Sequence, residues 1–300
     1  MKKLRALIPL LISGLLLWSA TAGGSRPEAS AGTPCAECGA AVGISGTRDT
    51  LFAQSAGRVL REESEGNQVS YLLLDARSGK LLASSWENPQ EPIPFGSLLK
   101  PFLALAYGQN HDFRFPSHFC RGTSSGCWLA GGHGRSDIEA AIANSCNSYF
   151  RVLTANMTGE DVGPTARSFG LDAPGSNLSG PALFGLGDAW LITPLRMAQA
   201  YLELNRRRDQ PGVREVLAGM AESGQEGTGA EVDRALKFSH AMVKTGTAVC
   251  THKDRAPGDG FAVAMLPEEQ PRIILLVRVH GVPGAKASAV AGRMLRRLGE

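Results

Sequence analysis

Strand-like segments stand at both ends of this chain, and the stretch between them is patterned for helices. Val69 to Leu74 is a compact apolar run. Lys80 to Ser84 resumes it after Asp75-Ala-Arg-Ser-Gly79, where Gly79 suits the positive φ of a tight turn. Three more such segments, Met242 to Ala248, Gly260 to Met265 and Arg272 to Val279, fall in the last third. One sheet that takes strands from both ends of a chain must set the middle aside as an insert. The pattern therefore predicts an α/β (α+β) fold, with an antiparallel sheet flanked by helices and an all-helical subdomain.

Helix signals fill in the rest. Phe52, Ala56, Val59 and Leu60 recur at helical spacing, closed by Arg61-Glu62-Glu63 and Gly66-Asn67. Pro89, Pro92 and Pro94 hold an extended approach to Phe95-Gly96. A helix then runs from Ser97 through Leu98, Leu99, Phe102, Leu103 and Leu105 to Gly108. Pro101 is tolerated only in a first turn, which puts Ser97 at the helix start. Asp137 caps a helix predicted to Ala155, with Ile138, Ala141 and Ile142 on its apolar face. Thr193-Pro194 starts another, carried by Leu195, Met197, Ala198, Tyr201 and Leu202. Residues 222–229 read as loop, and a last helix spans Ala285 to Leu298.

The 300 residues are 43% apolar and 20% charged, enough for a folded core over residues 47–300. The first 22 residues differ in kind. Lys2, Lys3 and Arg5 precede an apolar run from Leu7 to Trp18 and a small-residue site, Ala20-Thr21-Ala22. This predicts a signal peptide or, if uncleaved, a membrane anchor through residues 4–22. Either way the rest of the chain is exported. Residues 23–46, rich in Gly, Ala, Ser and Pro, read as a linker. The formal charge of +3 rests on the three N-terminal positives, so the exported part is near neutral and nothing calls for nucleic acid. Arg206-Arg207-Arg208 reads as a solvated helix end.

Export permits disulfides among Cys35, Cys38, Cys120, Cys127, Cys146 and Cys250. Cys35 and Cys38 are predicted to pair locally, and Cys120 and Cys127 to staple the loop Arg-Gly-Thr-Ser-Ser-Gly between them. A zinc site built from these four is the competing reading. His133, between glycines, reads as a loop hydrogen-bonder, and Cys146 as a packed thiol. There is no His-Glu-x-x-His.

Three short motifs carry chemistry: Ser97-Leu-Leu-Lys100, Ser145-Cys-Asn147 and Lys244-Thr-Gly246. A serine hydroxyl needs a base before it attacks. Positions i and i+3 of a helix share a face, so Lys100 can serve Ser97 once burial and nearby cations lower its pKa. The helix start adds backbone N–H groups for developing negative charge. Lys244-Thr245-Gly246-Thr247 reads as an edge strand. Its Lys and two Thr suit a carboxylate, and Gly246 admits a close backbone approach. Each motif alone is common. Their fixed order, 48 and then 99 residues apart, is far more specific.

This ordered set resembles the penicillin-binding transpeptidase domains of the β-lactamase/transpeptidase-like superfamily. The resemblance extends through Phe95-Gly-Ser-Leu-Leu-Lys-Pro-Phe102 and through Cys127-Trp128, Gly132-His-Gly134 and Ala143-Asn-Ser-Cys-Asn-Ser-Tyr-Phe150. It continues in Gly185-Leu-Gly187, in Ile192-Thr-Pro-Leu195 and in the opening strand pair from Leu74 to Ala83. It implies that Ser97 is acylated by the D-Ala-D-Ala stem peptide of peptidoglycan, or by β-lactams, with Lys100 as its base. It implies that Ser145 relays the proton beside Lys244, that Asn147 binds the substrate amide, and that Thr245 and Thr247 hold the carboxylate. The Ser97 and Thr247 backbone N–H groups would form the oxyanion hole. No metal or cofactor is implied.

Residues 23–46 can hold neither the glycosyltransferase domain nor the pedestal of larger relatives, and the region before Lys244 is short. A dedicated cell-wall synthesis partner would fit that trimming. Two other readings compete. A β-lactamase would need a deacylating base, and Tyr201-Leu-Glu-Leu-Asn205 lacks the Glu-x-x-Leu-Asn spacing. A non-catalytic β-lactam sensor would use the same pocket, but its motifs need not be intact.

Overall fold

The computed structural model describes residues 42–65, 68–250 and 258–299. Residues 45–300 form one compact unit. The predicted signal segment, residues 23–41 of the linker with Cys35 and Cys38, and the helix end at Gly66-Asn67 lie outside the described residues. No described helix is long and apolar enough to cross a membrane.

Helix α1 (Val42–Ser64) leads into β1 (Val69–Asp75) and β2 (Leu81–Ser84). Residues 42–46, expected to be linker, are helical. Gly43 and Gly46 each cost about 1 kcal/mol there, but the helix is held from further along, where Ala56 and Leu60 are buried. A two-residue strand, β3 (Ile93–Pro94), precedes a 3₁₀ turn at Gly96–Leu99 and α2 (Lys100–Asn110). The middle of the chain holds β4 (His118–Cys120), β5 (Gly134–Ser136), α3 (Ile138–Ala143), α4 (Asn147–Leu153), α5 (Gly159–Ser168), β6 (Leu191–Ile192), α6 (Pro194–Arg206), α7 (Val213–Gln225) and α8 (Glu231–Ala235). Strands β7 (Met242–Ala248), β8 (Asp259–Leu266) and β9 (Ile273–Val279) follow, and α9 (Gly284–Arg297) closes the chain.

The main sheet runs β2-β1-β9-β8-β7, antiparallel throughout. The N-terminal strand pair thus docks against the C-terminal three through β1 and β9, from Val69 opposite Val279 to Asp75 opposite Ile273. Alternate residues serve two cores, as the pleat requires. Leu72, Leu74, Val263, Met265, Ile274 and Leu276 face the helical middle of the chain. Tyr71, Leu73, Ala262, Ala264, Leu275 and Val277 face α1 and α9, packing on Leu60, Ala291 and Met294. Both faces are covered, which is why these strands read as continuous apolar runs.

Two helical expectations change. The single helix predicted from Asp137 to Ala155 is two, broken over residues 144–146. Asp137 does cap α3, its carboxylate accepting from the Ala140 N–H. The chain then turns through Ser145 at φ +50°, a left-handed conformation that breaks the hydrogen-bond ladder, and α4 restarts at Asn147. The loop predicted over residues 222–229 is partly helix. Ser223 and Gly224 lie in α7, where a Cβ on Gly224 would stand 2.2 Å from the Ala241 carbonyl oxygen. That glycine permits close packing instead of a turn.

Candidate active site

The three motifs meet where the 3₁₀ turn, the α3–α4 corner and the edge strand β7 converge. A 3₁₀ turn repeats every three residues, so Ser97 and Lys100 lie on one side of it. Pro101 fits the first turn of α2 that follows. The Tyr201 hydroxyl braces the turn from α6, donating to the Leu98 carbonyl at 2.9 Å.

Glycines bring the motifs this close. Gly96, at φ +57°, lies against β7: a Cβ there would stand 2.1 Å from the Thr247 carbonyl oxygen. By its sequence context Gly246 suggests room for a substrate backbone. Its closest neighbour is instead the protein's own Phe95 carbonyl oxygen, 2.5 Å from where a Cβ would be. The two glycines let the turn that carries Ser97 lie against the strand that carries Lys244.

Two fully buried lysines reach the α3–α4 corner from opposite sides. Lys100 Nζ donates to the Ser145 carbonyl at 2.7 Å, to Ser145 Oγ at 3.3 Å and to Asn147 Oδ1 at 2.6 Å. Lys244 Nζ donates to Ser145 Oγ at 2.9 Å and to the Thr245 carbonyl at 2.9 Å. Phe150 and Phe184 flank the Lys100 ammonium, with ring centroids at 5.3 and 5.6 Å. Burial pulls Lys100 down to about 7, against the opposing pull of Cys146 and Cys127. Burial and the neighbouring Lys100 hold Lys244 well below its ordinary value.

Ser97 stands partly exposed on the wall of a cleft of about 380 Å³. Ser145, Asn147, Thr245, Gly246 and Thr247 share that wall, so every predicted substrate contact lines one cavity. Among the described residues β7 is an edge strand, as its sequence suggested, with only β8 beside it. Two further lining residues hydrogen-bond to the motifs and carry no functional assignment from sequence. Thr228, read as loop, accepts a hydrogen bond from Thr245 Oγ1 at 2.6 Å and donates to the Ala143 carbonyl at 3.2 Å. Trp128 donates from Nε1 to the carbonyls of Asn144 (3.3 Å) and Ser145 (3.2 Å). Among the described residues the cleft lining carries no carboxylate. Glu203 lies on α6, ion-paired with Arg206 and Arg207.

Cys146 is the packed thiol expected, but Cys120 and Cys127 depart from expectation. Cys120, Cys127 and Cys146 are buried free thiols, so the predicted Cys120–Cys127 staple is not formed. His133 comes between them instead, its Nδ1 at 3.6 Å from the Cys120 sulfur and 3.5 Å from that of Cys127.

Comparison with known proteins places this architecture. The penicillin binding protein transpeptidase domain family matches residues 69–300. No curated protein sequence matches the chain. Among solved structures, PBP2 of Pseudomonas aeruginosa in complex with WCK 5153 is similar at TM-score 0.65 and 18% identity, over 83% of this chain and 73% of that one. PBP2 of Helicobacter pylori in complex with MreC aligns at TM-score 0.68 and 18% identity, over 82% of this chain and 62% of the other. The transpeptidase domain of Burkholderia pseudomallei penicillin-binding protein 3 aligns at TM-score 0.63 and 17% identity, over 84% and 93%. With the family matched from β1 to the C-terminus over this fold, the chain belongs to the penicillin binding protein transpeptidase domain family.

Proposed function

We propose that this protein is a serine-type D,D-acyltransferase acting outside the cytoplasm on peptidoglycan stem peptides, through an acyl-enzyme on Ser97. The observation that carries the reading is the convergence of two buried lysines on the Ser145 hydroxyl, in a cleft whose wall includes Ser97. A buried amine with a pKa near 7 is half neutral at neutral pH and can take a proton.

In this scheme Lys100 accepts the Ser97 proton as Ser97 Oγ attacks the carbonyl of the penultimate D-Ala. The backbone N–H groups of Ser97 and Thr247 hold the oxyanion. Ser145, with Lys244 behind it, passes a proton to the departing D-Ala amine. Asn147 binds the substrate amide, and Thr245 and Thr247 bind its terminal carboxylate. An extended stem peptide can lie along the open edge of β7. β-Lactams acylate the same serine. Among the described residues the lining carries no carboxylate to serve as a Glu-type deacylating base, which supports an acyl-enzyme resolved by an acceptor amine over a β-lactamase of that type. The MreC complex of the H. pylori relative suggests a cell-wall partner protein here too.

Labelling with a fluorescent penicillin tests the assignment. Stable one-to-one labelling that Ser97→Ala abolishes supports it. Absence of labelling in the folded wild type removes Ser97 as nucleophile, and rapid release of penicilloate makes the protein a hydrolase. A stem-peptide assay with and without an added D-amino acid then separates transpeptidation from carboxypeptidation.

A further inference from the structure

Beside the catalytic cleft lies a second constellation that the acyl-transfer scheme does not use. The hairpin of β4 and β5 pairs Cys120 with Gly134 and carries a tight loop between its strands. The loop folds back on itself through two glycines. A Cβ on Gly122 would stand 1.9 Å from the Ala130 carbonyl oxygen, and one on Gly132 would stand 2.3 Å from that of Cys120. This fold brings Cys120, Cys127 and His133 together, and the α3–α4 corner adds Cys146. The donor atoms of all four lie within 4.8 Å of one another.

The separations fit a metal. Bond lengths of about 2.3 Å to sulfur and 2.0 Å to nitrogen, at tetrahedral angles, put sulfur pairs roughly 3.8 Å apart and sulfur–nitrogen pairs roughly 3.5 Å apart. Cys127 and Cys146 have sulfurs 3.9 Å apart, and His133 Nδ1 lies 3.6 and 3.5 Å from the sulfurs of Cys120 and Cys127. All three thiols are buried, at 1%, 6% and 0% exposure. An odd number of thiols cannot be consumed by pairing among themselves.

We propose that Cys120, Cys127, His133 and Cys146 bind one tetrahedral Zn²⁺ that positions the second catalytic motif. Three thiolates and an imidazole form a closed, zinc-type donor set. The ion touches no reactant, and its effect passes through Cys146, which stands between Ser145 and Asn147. Ser145 occupies a left-handed conformation that costs a non-glycine residue about 1 to 2 kcal/mol. A metal bond at the next residue holds it there. The same loop presses on the motif a second time through Trp128, which follows Cys127 and donates to the Ser145 carbonyl. The positioning effect rests on the acyl-transfer reading above; the metal site does not.

The test uses the full chain purified under reducing conditions, with metal content measured by plasma mass spectrometry. One zinc per chain is expected. Cobalt exchange should give thiolate-to-metal charge-transfer bands together with the intense visible bands of a tetrahedral site. Cys127→Ala should lose the metal and slow penicillin acylation roughly 10- to 100-fold. Cys120→Asp, which keeps a ligand, should retain metal and most of the rate. Folded wild type that holds no zinc and develops no such bands with cobalt overturns the site, whether or not the alanine variant folds. Chelation that removes zinc without slowing acylation overturns the positioning role. Stoichiometric zinc in a protein that takes no penicillin leaves the site standing and refutes the acyl-transfer reading instead.

Discussion

Lys244 Nζ donates to Ser145 Oγ at 2.9 Å, joining a residue of the edge strand to one of the helical subdomain. Lys100 reaches the same hydroxyl from α2 at 3.3 Å. The hydroxyl is thus the one group that both buried amines share. Ser145→Ala removes it with little change in volume. If Ser145 relays the leaving-group proton, acylation by penicillin should fall about 10²- to 10⁴-fold. Near-ultraviolet circular dichroism should stay unchanged. A variant that acylates at the wild-type rate would take Ser145 off the proton path.

If Lys100 is the base for Ser97, its amine sets a pH dependence. Burial brings it to about 7, with Lys244 on β7 facing it and the Cys127 and Cys146 thiols nearby. A base must be neutral to accept a proton, so the active form grows as pH rises. Acylation should climb through pH ~7 and then level, with about a tenth of the plateau one unit below that point. The rate constant measured across this range in one ionic strength decides the matter. A rate that falls as pH rises through 7 would mean that the charged amine is the working form.

Gly96 lies where the fold and the site depend on the same contact. Its φ is +57°, and an added Cβ would meet the backbone of Thr247, which cannot swing aside as a side chain can. Gly96→Ala should therefore cost more than the 1 to 2 kcal/mol of left-handed strain alone. It should also push Ser97 off the strand and reduce labelling. Gly170, at φ +79° with open space around its Cβ, supplies the control. Gly170→Ala should cost only about that 1 to 2 kcal/mol of strain and keep full labelling. Urea midpoints and labelling rates of the two variants should separate strain from displacement.

Much of this arrangement was legible in the sequence, because periodicity and caps are local. The strand at Met242–Ala248 and the α6 start at Thr193-Pro194 fall where they were expected, with Thr193 Oγ1 accepting from the Arg196 N–H. The break at Ser145 was not legible. Ile138, Ala141 and Ile142 pattern as a helix, and nothing in Ser145 announces a left-handed turn imposed by its partners. Gly224 misled in the opposite direction: glycine marks turns locally, yet here it serves a contact with Ala241 that only the folded chain creates. Cys120 and Cys127 looked like a pair because both flank one loop. Cys146, distant in sequence, shares their environment only through the α3–α4 corner.

Thr228 shows what a loop assignment conceals. Its hydroxyl accepts from Thr245 at 2.6 Å and donates to the Ala143 carbonyl at 3.2 Å. Hydroxyl hydrogens rotate, so the chain can reverse: Thr228 donates to Thr245, and Thr245 donates to an arriving carboxylate. Without Thr228, Thr245 would lose the donor that polarises it. One hydrogen bond of this kind is worth about 1 kcal/mol, or roughly a fivefold change. Thr228→Val should weaken penicillin acylation by about that factor and leave reaction with the penicillin methyl ester nearly unchanged, because the ester lacks the anion. The ratio of the two rates isolates carboxylate recognition from general damage to the cleft. An equal loss with both compounds would assign Thr228 to holding the Ala143 backbone instead.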